Sequence, residues 1–179
     1  MKKTIYRSPI GDLILMAHQG KLVYCNWDSR DCDSKLKKYE ALLSHKEEAS
    51  DSGVLEMTLT QLDEYFQGTR QKFDLPLNIH GTEFQKRVWN AIATTPYAST
   101  LTYKQLAEKS GNASAFRAVA GACGANPIAI VIPCHRIISS TGKIGGYTGG
   151  LKRKIALLKS EGIELTRGGV HDEAFHQDT

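Results

Sequence analysis

The chain has 179 residues, 41% hydrophobic and 23% charged, enough for one or two small domains with a real core. It has neither an apolar run long enough to span a bilayer nor a basic start followed by an apolar export segment, so membrane insertion and secretion are not expected and a cytoplasmic location is. The net charge of +4 is uneven: residues 1–80 hold eleven Lys/Arg against twelve Asp/Glu and residues 81–165 hold eleven against four, which points to an anionic partner, nucleic acid first, or to a merely basic surface.

In chain order, SPIGDLILMAHQGKLVYCNW (Ser8 to Trp27) alternates in polarity between turn signals at Pro9–Gly11 and Gln19–Gly20 and predicts a β-hairpin or meander. A charged helical or loop-like region follows to Ser52. Leu55, Leu59, Leu62, Tyr65 and Phe66 then recur at helical spacing, with Gly68 as the stop. The stretch from Arg70 to Thr82, with Pro76 and Gly81, has the composition of a linker. From Thr82, the residues Phe84, Val88, Trp89 and Ile92 predict a helix ended by Pro96.

Thr102 with Gln105 fits a capping box for a short helix that stops near Gly111. A second helix is expected at about Ser114 to Gly124. Two helices joined by a turn of three or four residues make a helix-turn-helix candidate. NPIAIVIPCHRII (Asn126 to Ile138) predicts a buried strand that ends at Pro133. A glycine-rich loop, SSTGKIGGYTGG, comes next. LKRKIALLKSEG then predicts an amphipathic helix with Leu151, Ile155, Leu157 and Leu158 inward. The polar residues 166–179 are expected to be disordered.

Two of these segments carry chemistry. The second helix of the pair offers Ala113, Ala115, Ala118, Ala120, Gly121 and Ala122, which cannot hydrogen-bond base edges. Small side chains permit close backbone approach, either to a DNA minor groove or to a neighbouring helix. Arg117 is the one long polar side chain there, placed either to enter a duplex or to touch a phosphate. Cys134 follows Pro133 and precedes His135 and Arg136. A free cysteine is most often buried and inert. Cationic neighbours and a turn that exposes the sulfur would instead make a nucleophile. The four cysteines, Cys25, Cys32, Cys123 and Cys134, form no CxxC pair, so free thiols and no metal site are expected. His18, His45, His80, His171 and His176 are scattered and are expected at the surface.

The segments ANPIAIVIPCHR, GGYTGGL and TYKQLA…FRAV closely resemble the O6-alkylguanine-DNA alkyltransferases. SPIGDLILMA and QLDEYFQGTRQKFDLPL are similar to that family's N-terminal domain, and GTEFQKRVWNAI opens its C-terminal one. The resemblance implies an α+β fold: an N-terminal domain (1–80) on a small three-stranded antiparallel sheet plus helix, and a mainly helical C-terminal domain (81–165) with a helix-turn-helix.

It also implies a monomer that binds duplex DNA in the minor groove without a cofactor and flips an alkylated nucleotide. The alkyl group of O6-guanine, with O4-thymine as a second substrate, is then taken irreversibly onto Cys134, once per molecule. His135 would deprotonate the thiol through a water, Glu161 would polarise His135, and Asn126 would order the active-site turn. Tyr103, Ile137, Ile144, Tyr147, Thr148 and Gly149 would form the base pocket. Tyr103, Ser114, Arg117, Ala118, Gly121 and Ser140 would contact DNA, with Arg117 filling the gap in the duplex.

The chain departs from the pattern at Ala98, commonly Gly in the family and expected to alter a turn only slightly. It departs again at Cys123 and at Gly124, which lacks one possible phosphate contact. A damage-flagging relative without the acceptor, a sequence-specific regulator with a redox cysteine and a Cys–His hydrolase are the competing readings. The first lacks a cysteine at the acceptor position, the second needs polar residues on its recognition helix, and the third turns over many times.

Overall fold

The structure, a computed structural model, describes residues 1–29, 32–43, 49–166 and 169–170. The chain folds into two compact units. One is Met1–His80 with Pro127–Val131, and the other is Gly81–Asn126 with Ile132–Thr179.

The first unit is built on an antiparallel sheet in the order β1 (Lys2–Ser8), β2 (Gly11–His18), β3 (Lys21–Trp27). The β2–β3 turn is tight because Gln19 and Gly20 both take positive φ, 52° and 68°, which matches the twist of the flanking strands. Leu13, Leu15, Met16, Ala17, Leu22 and Val23 are fully buried. Helix α1 (Cys32–Leu42) contributes Leu36 and Tyr39 to a cluster with Ile14, Met16, Val23 and Tyr24. Helix α2 (Ala49–Phe66) buries Val54, Leu55, Leu62 and Tyr65.

The run Ile128–Ile132, expected as a strand, is not one. Cys25 donates its amide to Pro127 O at 2.9 Å and accepts from Ala129 N at 2.6 Å, a single parallel bridge to the β3 residue. The backbone then folds on itself: Val131 N donates to Ala129 O at 2.9 Å around Ile130, whose φ is +70°. That is a γ-turn of the strained kind, and a β-branched residue there is a genuine outlier.

The second unit is mainly helical. Helix α3 (Glu83–Ala93) starts with a complete capping box between Thr82 and Gln85 and buries Val88, Trp89 and Ile92. Trp89 Nε1 donates to Ala122 O at 2.8 Å, tying α3 to α5 (Phe116–Gly124). Strand β4 (Leu101–Thr102) pairs in parallel with β5 (Ile137–Ile138). The expected Thr102–Gln105 capping box is present at the start of α4 (Tyr103–Lys109), and α5 spans Phe116–Gly124. Residues 110–115 separate the two helices, more than the three or four expected.

Helix α6 (Leu151–Ser160) buries Lys154, Leu157 and Leu158, whereas Leu151, expected inward, is 51% exposed. Of the expected tail, Thr166 pairs with Gly169 in a two-stranded hairpin of β6 (Leu165–Thr166) and β7 (Gly169–Val170). A Cβ on Gly169 would sit 2.2 Å from Gly142 O, so only glycine lets the hairpin lie on that loop. Residues beyond 170, and His45, lie outside the described residues. Among the described residues, no helix is long and apolar enough to cross a membrane.

Candidate active site

The site is assembled at a second γ-turn. Pro133, at φ −81° and ψ 62°, lets Cys134 N donate to Ile132 O at 2.8 Å. Cys134–Arg136 then form one turn of 3-10 helix before β5. Asn126 braces this backbone from outside: its Nδ2 donates to Ile132 O at 2.8 Å and to Cys134 Sγ at 3.1 Å.

Of the two placements open for Cys134, buried or at an exposed turn beside cationic neighbours, the structure has the first: it is 9% exposed. Burial pushes its thiol above the usual range, opposed by the Asn126 hydrogen bond and the positive charge of Lys154. The thiol is therefore protonated at neutral pH and needs a base.

His135 is fully buried, with Nε2 2.7 Å from Glu161 Oε1. Burial pulls its pKa down, and this outweighs the hydrogen bond and charge of Glu161, which pull it up. Burial raises the Glu161 carboxyl, but His135 and Arg136 together hold it down at about 2. A neutral imidazole beside an ionised carboxylate must carry its proton on Nε2. That leaves the lone pair on Nδ1, which is buried without a hydrogen-bond partner.

Arg136, named in the sequence only as a cationic neighbour of the thiol, is buried, 5% exposed, and turned to Glu161. Its Nε and a terminal nitrogen reach the two oxygens of Glu161 at 2.8 and 3.0 Å, and its other terminal nitrogen donates to Thr95 O at 2.7 Å. The guanidinium also lies 5.7 Å from the centre of the Tyr97 ring.

Cys134 opens on a cavity of about 350 Å³ that it shares with Tyr103, Ala120, Cys123, Gly124 and residues 146–148 of the glycine loop. Thr148 Oγ1 donates to Gly124 O at 3.0 Å, closing the loop over the end of α5. Gly145, at φ +69°, places its backbone against the Tyr103 ring. The Tyr103 hydroxyl is pushed up to about 12 by burial and by the two cysteines, so it stays a proton donor.

Of the other expected pocket residues, Ile137 is fully buried in β5, Ile144 is half-buried and Gly149 is buried with its carbonyl accepting from Arg153 at 3.0 Å; none lines the cavity. Cys123 does line it, and burial raises its thiol to about 12. Ser114, Arg117, Ala118 and Gly121 are all exposed on or just before α5, whose other side buries Val119, Ala122 and Cys123. Ser140 is also exposed.

Both halves of the chain match models of known domains. Residues 1–79 match the 6-O-methylguanine DNA methyltransferase ribonuclease-like domain, and residues 83–163 match the 6-O-methylguanine DNA methyltransferase DNA-binding domain. The methylated-DNA–protein-cysteine methyltransferase of Mycobacterium bovis is 42% identical over 154 residues, 86% of this chain and 88% of that protein. The chain belongs to the 6-O-methylguanine DNA methyltransferase family.

The Methanosarcina acetivorans methylated-DNA–protein-cysteine methyltransferase is 40% identical and covers 90% of this chain and 99% of its own length. Among solved structures, Mycobacterium tuberculosis OGT in complex with DNA superposes with a TM-score of 0.73 at 39% identity. That match covers 88% of this chain and 90% of the other. The α+β architecture of the family, with its three-stranded antiparallel sheet, is the one seen here.

Proposed function

We propose that this chain repairs duplex DNA by moving the alkyl group from O6 of a guanine to Sγ of Cys134. The observation that carries the reading is the arrangement around that sulfur. A buried thiol opens on a cavity within the usual size range of ligand sites, braced by Asn126 and beside a His–Glu pair whose free imidazole nitrogen is a base.

The step balances without a cofactor. The thiol proton passes to Nδ1 of His135, through a water. The thiolate attacks the alkyl carbon, forming the S–C bond as the C–O6 bond breaks. The electron pair of that bond stays with guanine, which is protonated as it leaves. Tyr103 is the donor within the cavity, and the proton taken by His135 restores it. The net change is thiol plus O6-alkylguanine giving thioether plus guanine. A thioether does not revert, so each molecule acts once. O4-alkylthymine presents the same reacting carbon and is a second substrate for the same step.

DNA is held by the α4–α5 pair acting as a helix-turn-helix. The exposed face of α5 carries Phe116 and Arg117 at its start and only small residues after them, which suits a minor groove read without base-specific hydrogen bonds. Arg117 fills the space left when the nucleotide is flipped, at a cost of a few kcal/mol that is least for a poorly paired base. Ser114, Ala118, Gly121 and Ser140 complete the contact. The protein acts as a monomer in the cytoplasm.

The test pairs two variants. Cys134→Ala is expected to bind duplex containing O6-methylguanine and remove no methyl. Arg117→Ala is expected to slow transfer from duplex more than from a free base analogue. Methyl loss from DNA in Cys134→Ala would refute the acceptor, and equal losses on both substrates would refute the wedge.

A further inference from the structure

Lys154 occupies a core position on α6. It is fully buried beside Leu157 and Leu158, three and four residues on. Among the described residues, its ammonium donates to two carbonyls, Ile137 O at 2.5 Å and Gly146 O at 3.3 Å. No carboxylate pairs with it among the described residues. Burying an unpaired ammonium costs several kcal/mol, and a hydrocarbon of the same length would avoid that cost.

Its two anchors explain what it is near. Ile137 N caps the 3-10 turn by donating to Cys134 O, and Gly146 lines the cavity that Cys134 opens on. The cation thus sits between the turn that carries the thiol and the loop that walls its pocket.

We propose that Lys154 is a positioning residue for alkyl transfer: its ammonium, clamped between the Ile137 and Gly146 carbonyls, is the counter-charge of the Cys134 thiolate. This rests on the reading of Cys134 as the acceptor. His135 can remove the proton, but the sulfur then carries a negative charge in a buried place. The Glu161 carboxylate is already engaged by His135 and Arg136, and adds charge of the wrong sign. Tyr103, on α4, is neutral. Lys154 also faces His135, whose proton affinity its charge lowers, and Cys123, on α5, which burial keeps a thiol. Burial also lowers Lys154 to about 8, while charge on Cys134 and Cys123 would raise it. A neutral thiol thus loosens the proton on Lys154, and a thiolate tightens it.

The experiment measures the rate at which iodoacetamide modifies Cys134 as a function of pH, with the site read by peptide mapping. It compares the wild type, Lys154→Met and Lys154→Arg. Lys154→Met is expected to move the midpoint up by about one unit or more. Methyl transfer near pH 7 should slow roughly threefold per unit moved, because greater nucleophilicity partly offsets the smaller thiolate fraction. Lys154→Arg should restore most of both. An unchanged midpoint in folded Lys154→Met overturns the proposal.

A second measurement needs no variant. In the wild type, the titration of Lys154 is followed by NMR of its side-chain carbon before and after methylation of Cys134 with methyl iodide. Coupling is reciprocal, so methylation must lower the Lys154 midpoint to the extent that the thiolate is formed over the Lys154 titration. A Lys154 titration that does not move, in a pH range where iodoacetamide shows the thiolate formed, also overturns it. A shifted iodoacetamide midpoint with no transfer from DNA would sink the repair reading alone.

Discussion

Nε2 of His135 lies 2.7 Å from Oε1 of Glu161, and both side chains are fully enclosed by protein. That single contact decides which imidazole nitrogen is the base. It holds only while the carboxylate is ionised, and Arg136 keeps it so by contacting both of its oxygens. The pair is therefore a triad in structural terms, with the arginine stabilising the charge and the histidine using it.

Glu161→Gln should cost more than a lost hydrogen bond. It leaves the Arg136 guanidinium buried without its counter-charge, a change worth about 3–5 kcal/mol. Equilibrium denaturation should show a matching fall in midpoint. A loss under about 1 kcal/mol would mean that Arg136 finds another partner.

The same carboxylate sets an acid limit. Its pKa is depressed from 4.5 to about 2, so its contribution is fully present above about pH 4.5 and is lost as pH falls toward 2. The amount at stake is on the order of 3 kcal/mol. The gap in stability between wild type and Glu161→Gln should narrow through that window. A gap that stays constant with pH would contradict it.

Asn126→Ala removes a buried donor from both Ile132 O and Cys134 Sγ. The carbonyl keeps its γ-turn donor, Cys134 N, so the loss is that of one of its two hydrogen bonds, and about 1 kcal/mol of stability should go. The thiol loses a hydrogen bond that favours its charged form, so its ionisation midpoint should rise. Asn126→Asp should raise the midpoint further by placing like charge beside the sulfur. Iodoacetamide kinetics on the two variants would show whether that order holds.

Ala98 sits at φ +55°, in the left-handed region. The departure from glycine in the sequence is thus a backbone cost and more than a slight change of turn. Ala98→Gly should stabilise the protein by about 1 kcal/mol, visible as a rise of a few degrees in Tm. A lower Tm would show that the extra freedom of glycine in the unfolded chain outweighs the relief.

The parts of this protein that were legible in the sequence are those with local signatures. Thr82 with Gln85 and Thr102 with Gln105 announce their helices because a capping box is complete within four residues. The Gln19–Gly20 turn is equally local. The run Ile128–Ile132 misled because apolar composition does not reveal hydrogen bonds that close over two residues, as they do around Ile130 and Pro133. Arg136 and Lys154 were unread for a different reason. Charged side chains are almost always solvated, and only the folded chain shows the carboxylate or carbonyls that hold these two inside. The resemblance drew attention to Cys134, His135, Glu161 and Asn126, and the fold brings them together. It gave no warning that the thiol would be buried and its pKa raised.

The most direct test of the central claim is the intact mass of the protein after incubation with duplex DNA carrying one O6-methylguanine, followed by peptide mapping. One added methyl group is expected, located on Cys134 and saturating at one per molecule. A methyl group on another cysteine, or DNA binding with no change in mass, would contradict it.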